Sequence, residues 1–361
     1  MHAPVGASSV RPVVRVTGNF TSESPLHPAA REALLAAFDQ GWADPKKLSQ
    51  SSAKAAILRN QSIENIATRL GLRADSIEVL GEPAFGHFLA IAGLLRPDRT
   101  FAFSAIDKGK IRAIARSHKG AICELDVNHS GQINFLDGKL ENTVISLQLG
   151  NGETGVIQEI TSLAGSQNFI SIDATASGPR IPLPSQWDTA LFDSQSWMGP
   201  SGLAIMSINN ADEYSYPLPR IAPIKSPGSY SLPLLLASAV ALENFAPEDS
   251  GIRSYAISQC AAIEGCQVVA PESPALPHIF SVTIDGVAAE NLVRTLAERE
   301  LNVDSGSACT PEDLQPSHVL AAMGYATDGH LRFTLHPGTT KNDIDQLVVG
   351  ISETAAHLRS R

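Results

Sequence analysis

The chain has 361 residues, 43% of them hydrophobic and 18% charged, which fits a globular protein with a large interior and excludes a disordered one. Its formal net charge is -10 and it has no Lys/Arg-rich run. Nucleic-acid binding by counterion release needs clustered cations, so no nucleic-acid partner is expected. The length accommodates two domains.

The longest apolar stretch, Leu232 to Leu242, is far short of the roughly 20 residues of a bilayer span. The first residues, MHAPVGASSVRPVVRV, lack an apolar signal core. A soluble, cytoplasmic protein without a membrane partner is therefore expected. Cys123, Cys260, Cys266 and Cys309 form neither metal-ligand spacing nor a dense disulfide pattern. Cys260 and Cys266 fall in or just after an apolar helix and read as buried small residues.

From about residue 29 the pattern alternates between helical periodicity and short apolar runs. AREALLAAFDQGW and AAILRNQSIENIATRLG read as amphipathic helices. SIEVLG, TFAFSAI, TVISLQL, FISIDA, TALFDS and GLAIMSI read as buried strands with turn signals beside them. Strands alternating with helices imply βαβ units and a mostly parallel sheet, whose ligands lie beyond the carboxyl ends of the strands.

A Pro-rich stretch, Pro217 to Pro233, interrupts this regime. Beyond it come a helix through Ala237 to Phe245, another near Tyr255, and the strand pair HIFSVTID and HLRFTL. The helices AENLVRTLAERE and TTKNDIDQLVVGISETAAHLR complete the region. The last carries Ile344, Leu347, Val348, Ile351, Ala355 and Leu358 on one face, with Thr340 and Asp343 as its capping box. The expected division is a large domain over 20–245 and a small α+β domain over 1–19 and 246–361.

Residues 305–320 read SGSACTPEDLQPSHVL, followed by LRFTL and then TTKNDID. Upstream stand SPLHPAAREAL, GNGETGVIQEI, IDATASGPRIPL and SQSWMGPSGLAIM. In order and spacing this series resembles the group I cysteine desulfurases, members of the class V aminotransferase family. The resemblance implies the type I pyridoxal-phosphate fold: a mainly parallel seven-stranded sheet in a large domain plus a small α+β domain. It also implies a role in sulfur transfer or iron–sulfur cluster assembly, and a dimer.

The resemblance gives Cys309 the place of the persulfide-forming cysteine; Thr310-Pro311 after it reads as a helix start, and a thiolate near a helix N-terminus has a lowered pKa. Arg332 resembles the arginine that binds the substrate carboxylate. Asp173 resembles the partner of the pyridinium nitrogen, and Ser229 stands near a hydroxyl that reaches the neighbouring subunit's phosphate. Other positions depart from the family. Asp193, Ser194, Gln195 and Ser196 stand where it has S-A-H-K, and a serine hydroxyl cannot form the imine that lysine forms. Gly81-Glu82-Pro83 replaces the phosphate-binding G-A-T turn, setting a carboxylate and a missing N–H where a phosphate would sit. Lys108 takes the place of the histidine that stacks on the pyridine ring, Gly152 that of an asparagine and Ala176 that of a glutamine.

These departures lead to an expectation of no cofactor and of a non-enzyme: a scaffold, dimerisation partner or sulfur-relay protein. Its partners would be itself or an active desulfurase paralogue, and a sulfur acceptor protein. Two alternatives stand beside it: an active desulfurase or class V aminotransferase relative holding pyridoxal phosphate without a covalent link, and a small-molecule binding protein using the remodelled cleft. Three residue-level alternatives also stay open. Cys309 is a working thiol or an idle relic. Arg332 binds an anion or pairs with a carboxylate of the last helix. Asp173 is satisfied by backbone donors once no pyridinium is present. Glu82, Lys108 and Asp193 are expected to face one another, as an ion-pair cluster that fills the vacated cofactor site or as a cup for another ligand. His27, His87, His129, His278 and His318 are assigned surface or helix-capping roles.

Overall fold

The computed structural model describes residues 18–39, 43–135, 140–160, 167–219, 230–306 and 316–360. Ser229 and Cys309 lie outside the described residues.

A seven-stranded sheet organises the first two thirds of the chain. Its strands are β2 (Ile77–Leu80), β3 (Thr100–Ser104), β4 (Ile122–Leu125), β5 (Thr143–Gln148), β6 (Phe169–Asp173), β7 (Thr189–Asp193) and β8 (Ala204–Ile208), in the order β2-β8-β7-β6-β5-β3-β4. Every pairing from β7 through β6, β5 and β3 to β4 is parallel, and β8 runs antiparallel to both β7 and β2. The mainly parallel α/β architecture expected from the sequence is therefore present. Parallel strands buried on both faces carry unbroken apolar runs. β5, for example, is buried along its whole length.

The edge strand β4 did not announce itself as an apolar run. Only Leu125 of its four residues is buried, while Ile122 and Glu124 face solvent. A strand covered on one side and one end carries too little periodicity to be read.

The helices α1 (Pro28–Asp39) and α2 (Gln50–Leu70) each pack against α5 (Leu232–Glu243), and buried residues of all three join the core of the large sheet. α5 is apolar on most of its circumference because Leu235, Ala237, Ala239, Ala241 and Leu242 are all buried. α3 (Pro83–Ala92) and α4 (Gly109–Ser117) follow β2 and β3. α2 starts earlier than its apolar period, because the Ser49 hydroxyl accepts the backbone N–H of Ser52 and caps the helix.

A second core gathers later elements: α6 (Ser250–Cys260), β9 (Cys266–Val268), β10 (Ile279–Ile284), α7 (Ala289–Ala297), β11 (Asn302–Val303), β12 (Leu331–Thr334) and α9 (Lys341–Arg359). β12, β10 and β9 form an antiparallel sheet, with Phe280 and Phe333 stacked at 4.8 Å between ring centres. The chain's early residue Phe20, on β1 (Asn19–Phe20), packs into this core because β1 pairs with β11. Cys260 is buried at the end of α6, and Cys266 opens β9. α7 stops at Ala297, short of the periodic run. Leu301 N–H returns to the Leu296 carbonyl, and Glu300 takes a left-handed conformation with φ of 62°.

α9 buries Ile344, Leu347, Ile351 and Ala355, the face expected from the sequence. Its capping box is complete: Thr340 Oγ1 accepts from Asp343 N–H, and Asp343 Oδ2 accepts from Thr340 N–H at 2.7 Å. Thr340→Ala should destabilise the chain by about 1 kcal/mol, read as a lower urea midpoint at unchanged m-value.

Candidate functional site

The carboxyl ends of β3, β5, β6 and β7 and the adjacent face of the β10–β12 sheet enclose a cleft of about 890 Å³. Lys108, Gln195, Ser196, His278 and Arg332 line it. The floor is built around Asp173, the last residue of β6 and only 5% exposed. Oδ1 accepts from Thr175 N–H at 2.9 Å and from the Thr175 hydroxyl at 2.6 Å. Oδ2 accepts from Lys108 Nζ at 2.9 Å and from His87 Nε2 at 3.1 Å. Burial alone would raise the Asp173 pKa, but the charges of Lys108 and His87 outweigh it and hold the carboxyl well below its ordinary range.

Each of these donors comes from a different segment. Lys108 precedes α4 and also donates to the Thr175 hydroxyl. His87 lies on the buried face of α3, with Nδ1 3.1 Å from the Pro83 carbonyl. Asp173 is thus satisfied chiefly by side chains rather than by the backbone donors expected of it. His87 is a core residue rather than a surface or capping one. It lies four residues after Pro83, in a helix that opens directly from the end of β2, and that placement is the signal that could have found it.

Glu82, Lys108 and Asp193 form no direct ion pairs with one another, although Asp193 feels the charges of the other two. Lys108 turns to Asp173 instead, because the deeper carboxylate has the larger desolvation cost to offset. Glu82 caps its own helix: Oε1 accepts from Ala84 N–H at 2.8 Å, while Pro83 at the first helical position has no N–H to offer. Asp193 Oδ1 accepts from Gln195 N–H at 3.0 Å. Burial raises the Asp193 pKa against that bond and against the attraction of Lys108.

Ser196 sits in a short 3-10 turn, Ser194–Trp197, and its hydroxyl donates to the Asp193 carbonyl at 2.7 Å. Gly178 comes so close that a Cβ there would stand 2.4 Å from Ser196 Oγ. Arg180 steadies the same turn by donating to the Ser196 carbonyl at 2.5 Å. Its guanidinium also forms a buried two-bond ion pair with Glu248, at 2.5 and 2.7 Å.

Beside this floor, Asp107 is fully buried. Its carboxyl accepts from Ser104 N–H at 2.9 Å and from Gln148 Nε2 at 2.7 Å. Burial pushes its pKa up to about 7 in spite of those bonds.

The opposite wall is less satisfied. Arg332 on β12 has Asp304 as its nearest carboxylate, at 3.8 Å, rather than a residue of the last helix. Its Nε has no partner among the described residues, and neither do Thr334 Oγ1 and His278 Nδ1. His330 stands 3.6 Å from Glu153 Oε1, yet the two form no ion pair. His330 Nδ1 accepts from Gly306 N–H and Nε2 faces the Ser281 hydroxyl, both at 3.1 Å, which is the pattern of a neutral ring. Burial and the charge of Arg332 push its pKa down to about 4.

The remaining histidines take local roles. His27 Nδ1 accepts Ala29 N–H at the start of α1, His129 stacks on Tyr325, and His318 Nε2 meets the Asp107 carbonyl. Among the described residues no group of His, Cys, Asp and Glu could hold a metal ion, and no helix is long and apolar enough to cross a membrane.

The aminotransferase class-V family model matches residues 224–347. Cysteine desulfurase IscS 1 of Archaeoglobus fulgidus is 27% identical over 63% of the chain, and the match spans 65% of that relative's length. Cysteine desulfurase IscS of Dictyoglomus turgidum is 22% identical over 95% of both chains. Among solved structures, a NifS-like protein superposes with a TM-score of 0.81 at 18% identity, covering 95% of this chain and all of that one.

These matches correct one expectation. The relatives aligned with this chain along nearly its whole length are cysteine desulfurases, a pyridoxal-phosphate-dependent family, and this overturns the expectation of no cofactor. The side chains present do not, however, fit a lysine-linked pyridoxal phosphate. Residue 196 is a serine whose hydroxyl is already engaged, all four near-neighbour donors of Asp173 are internal, and Glu82 caps the helix that would face a phosphate. No chemical step is derived through the cofactor.

Asp107 supplies a pH signature. Its folded pKa of about 7 lies above its unfolded value, so between about pH 4 and 7 the folded state binds more protons than the unfolded. Its contribution is therefore fully present below about pH 4 and declines as pH rises to about 7. In Asp107→Asn this decline should vanish, so urea-unfolding free energies of wild type and variant should differ in slope over that window and run parallel above it.

Proposed function

We propose that this chain is a member of the cysteine desulfurase family and that it serves sulfur transfer without itself running the lysine-dependent removal of sulfur from cysteine. It acts beside an active relative, as a dimer partner and scaffold, with Cys309 as the candidate persulfide carrier. One observation carries the reading. The residue at the lysine position is Ser196, and its hydroxyl is spent on the Asp193 carbonyl at 2.7 Å. Lys108, the cation that reaches the same floor, is held in the ion pair with Asp173. Pyridoxal phosphate is the family's cofactor, and the proposal concerns the covalent link and the turnover that depends on it.

The test is sulfide release from cysteine with added pyridoxal phosphate, against a cofactor-only control. No release above that control is expected, and borohydride reduction should leave no phosphopyridoxyl group on the protein. Release that saturates with pyridoxal phosphate and is lost in Lys108→Met would overturn the reading and make Lys108 the reacting amine.

Association rests on the apolar side chains that the fold leaves exposed. Leu35 and Phe38, three residues apart on α1, are 47% and 59% exposed and so share one helix face. Burying such a face is the usual outcome for an apolar patch of this kind. Sedimentation should find a dimer, either of this chain or with an active desulfurase. Phe38→Asp should weaken it by at least about tenfold, a loss typical of an apolar anchor at an interface.

A further inference from the structure

Gly306 and Ser317 stand on either side of Cys309 in the sequence, and both are held by two neighbouring side chains, Glu153 and His330, which lie 3.6 Å apart. The Ser317 hydroxyl donates to Glu153 Oε1. The same oxygen accepts from Leu320 N–H at 3.1 Å and so caps α8 (His318–Met323). On the other side of the thiol, the Gly306 N–H donates to His330 Nδ1 at 3.1 Å. Gly306 also packs so closely that a Cβ there would stand 2.5 Å from Glu153 Oε1 and 2.7 Å from His330 Cε1.

Glu153 is itself fixed on both sides. Its N–H donates to Asn151 Oδ1 at 2.9 Å, and Asn151 Nδ2 donates in turn to Oε1 of Gln148, the last residue of β5, at 2.9 Å. Its carbonyl accepts from the Ser281 hydroxyl of β10 at 2.7 Å. With Nδ1 occupied by Gly306, the neutral His330 ring donates Nε2–H to Ser281 Oγ at 3.1 Å. The bonds therefore run in unbroken series from Gly306 through His330, Ser281 and Glu153 to Ser317. A network that served stability alone would need no particular end points. This one ends on the residues that bracket Cys309.

We propose that Glu153 is a positioning residue for Cys309, holding the chain on either side of the thiol at a fixed separation so that sulfur transfer begins from an ordered start. The inference rests on the reading of Cys309 as the persulfide carrier and adds to it the group that governs the transfer. In the step concerned, the Cys309 thiolate attacks the outer sulfur of a donor's persulfide. A bond forms between Cys309 Sγ and that sulfur, the donor's S–S bond breaks, and the donor leaves as a thiolate. The proton of the outer sulfur travels with it, and no outside oxidant is needed. Such an exchange requires the attacking, transferred and leaving sulfurs to align. Freeing either end of the chain around Cys309 adds conformational freedom that must be lost again each time they do. Transfer from a protein donor then slows, while attack by a small reagent on the same thiol does not.

The experiment follows persulfide on Cys309 by peptide mass spectrometry after the full chain meets an active cysteine desulfurase supplied with cysteine. Alkylation of the same thiol by iodoacetamide is measured alongside. Glu153→Ala and Gly306→Ala should each slow persulfide uptake at least about fivefold, while alkylation changes by less than about twofold. Glu153→Gln keeps an acceptor for the Ser317 hydroxyl and should keep most of the wild-type rate. Hydrogen exchange over 305–306 and 317–320 should quicken in Glu153→Ala and not in Glu153→Gln. Circular dichroism and Tm confirm that the variants fold. Uptake at the wild-type rate in both folded alanine variants overturns the positioning role and leaves the carrier reading standing. So does alkylation that falls in step with uptake, because the thiol itself has then changed. No uptake by the wild type overturns the carrier reading, and the positioning role with it.

Discussion

A carboxylate at the end of β6, sealed almost completely from water, is the constraint that the cleft is arranged around. Asp173 would be intolerably costly as an unpaired charge, since desolvating it uncompensated amounts to several kcal/mol. The chain meets it with four donor contacts from three segments, and each contact fixes a piece of architecture. His87 ties α3 to the sheet. Lys108 sets the turn that opens α4. Thr175 shapes the turn that leaves β6. Removing the charge would release all three at once. Keeping it means that both carboxylate oxygens are spent on internal partners.

The neighbouring segments show the same economy of local bonds. Glu82 supplies its helix with the anion that an N-terminus attracts. The Asp193–Ser196 turn closes on itself through a carboxylate-to-amide bond and a hydroxyl-to-carbonyl bond, while Arg180 braces it from below. Glu82, Asp193 and Ser196 each differ from the residue the family pattern would place there, and each finds a partner within a few residues. Substitutions spread along the chain are thus mutually consistent in space, as expected where polar groups are all satisfied together.

Much of this architecture was legible in the sequence because periodicity carries it. Six of the seven large-sheet strands are runs of buried apolar residues, and α9 displays both its core face and its capping box. Two kinds of feature were not legible. One is the half-covered strand, such as β4, in which a single buried residue leaves no pattern. The other is the choice among charged partners. Lys108 had three acidic residues within plausible reach, and sequence order gives no measure of how deeply each is buried. Depth decided it in favour of Asp173. His87 was missed for a related reason. A histidine on an apolar helix face reads as incidental until the sheet brings a buried carboxylate beneath it.

The two walls of the cleft therefore stand in contrast. On the large-sheet side the carboxylate, the helix terminus and the turn hydroxyl are all engaged internally. On the small-sheet side a guanidinium nitrogen, a hydroxyl and an imidazole nitrogen are buried without partners among the described residues. A buried polar atom left unpaired costs about 1–3 kcal/mol, and three on adjacent strands represent a sizeable fraction of a typical domain's net stability. Repacking for stability alone favours apolar residues of similar volume at such positions, since they carry no desolvation penalty. The wall instead keeps arginine, threonine and histidine, on and beside paired strands that hold them in register and away from the floor that Asp173 closes.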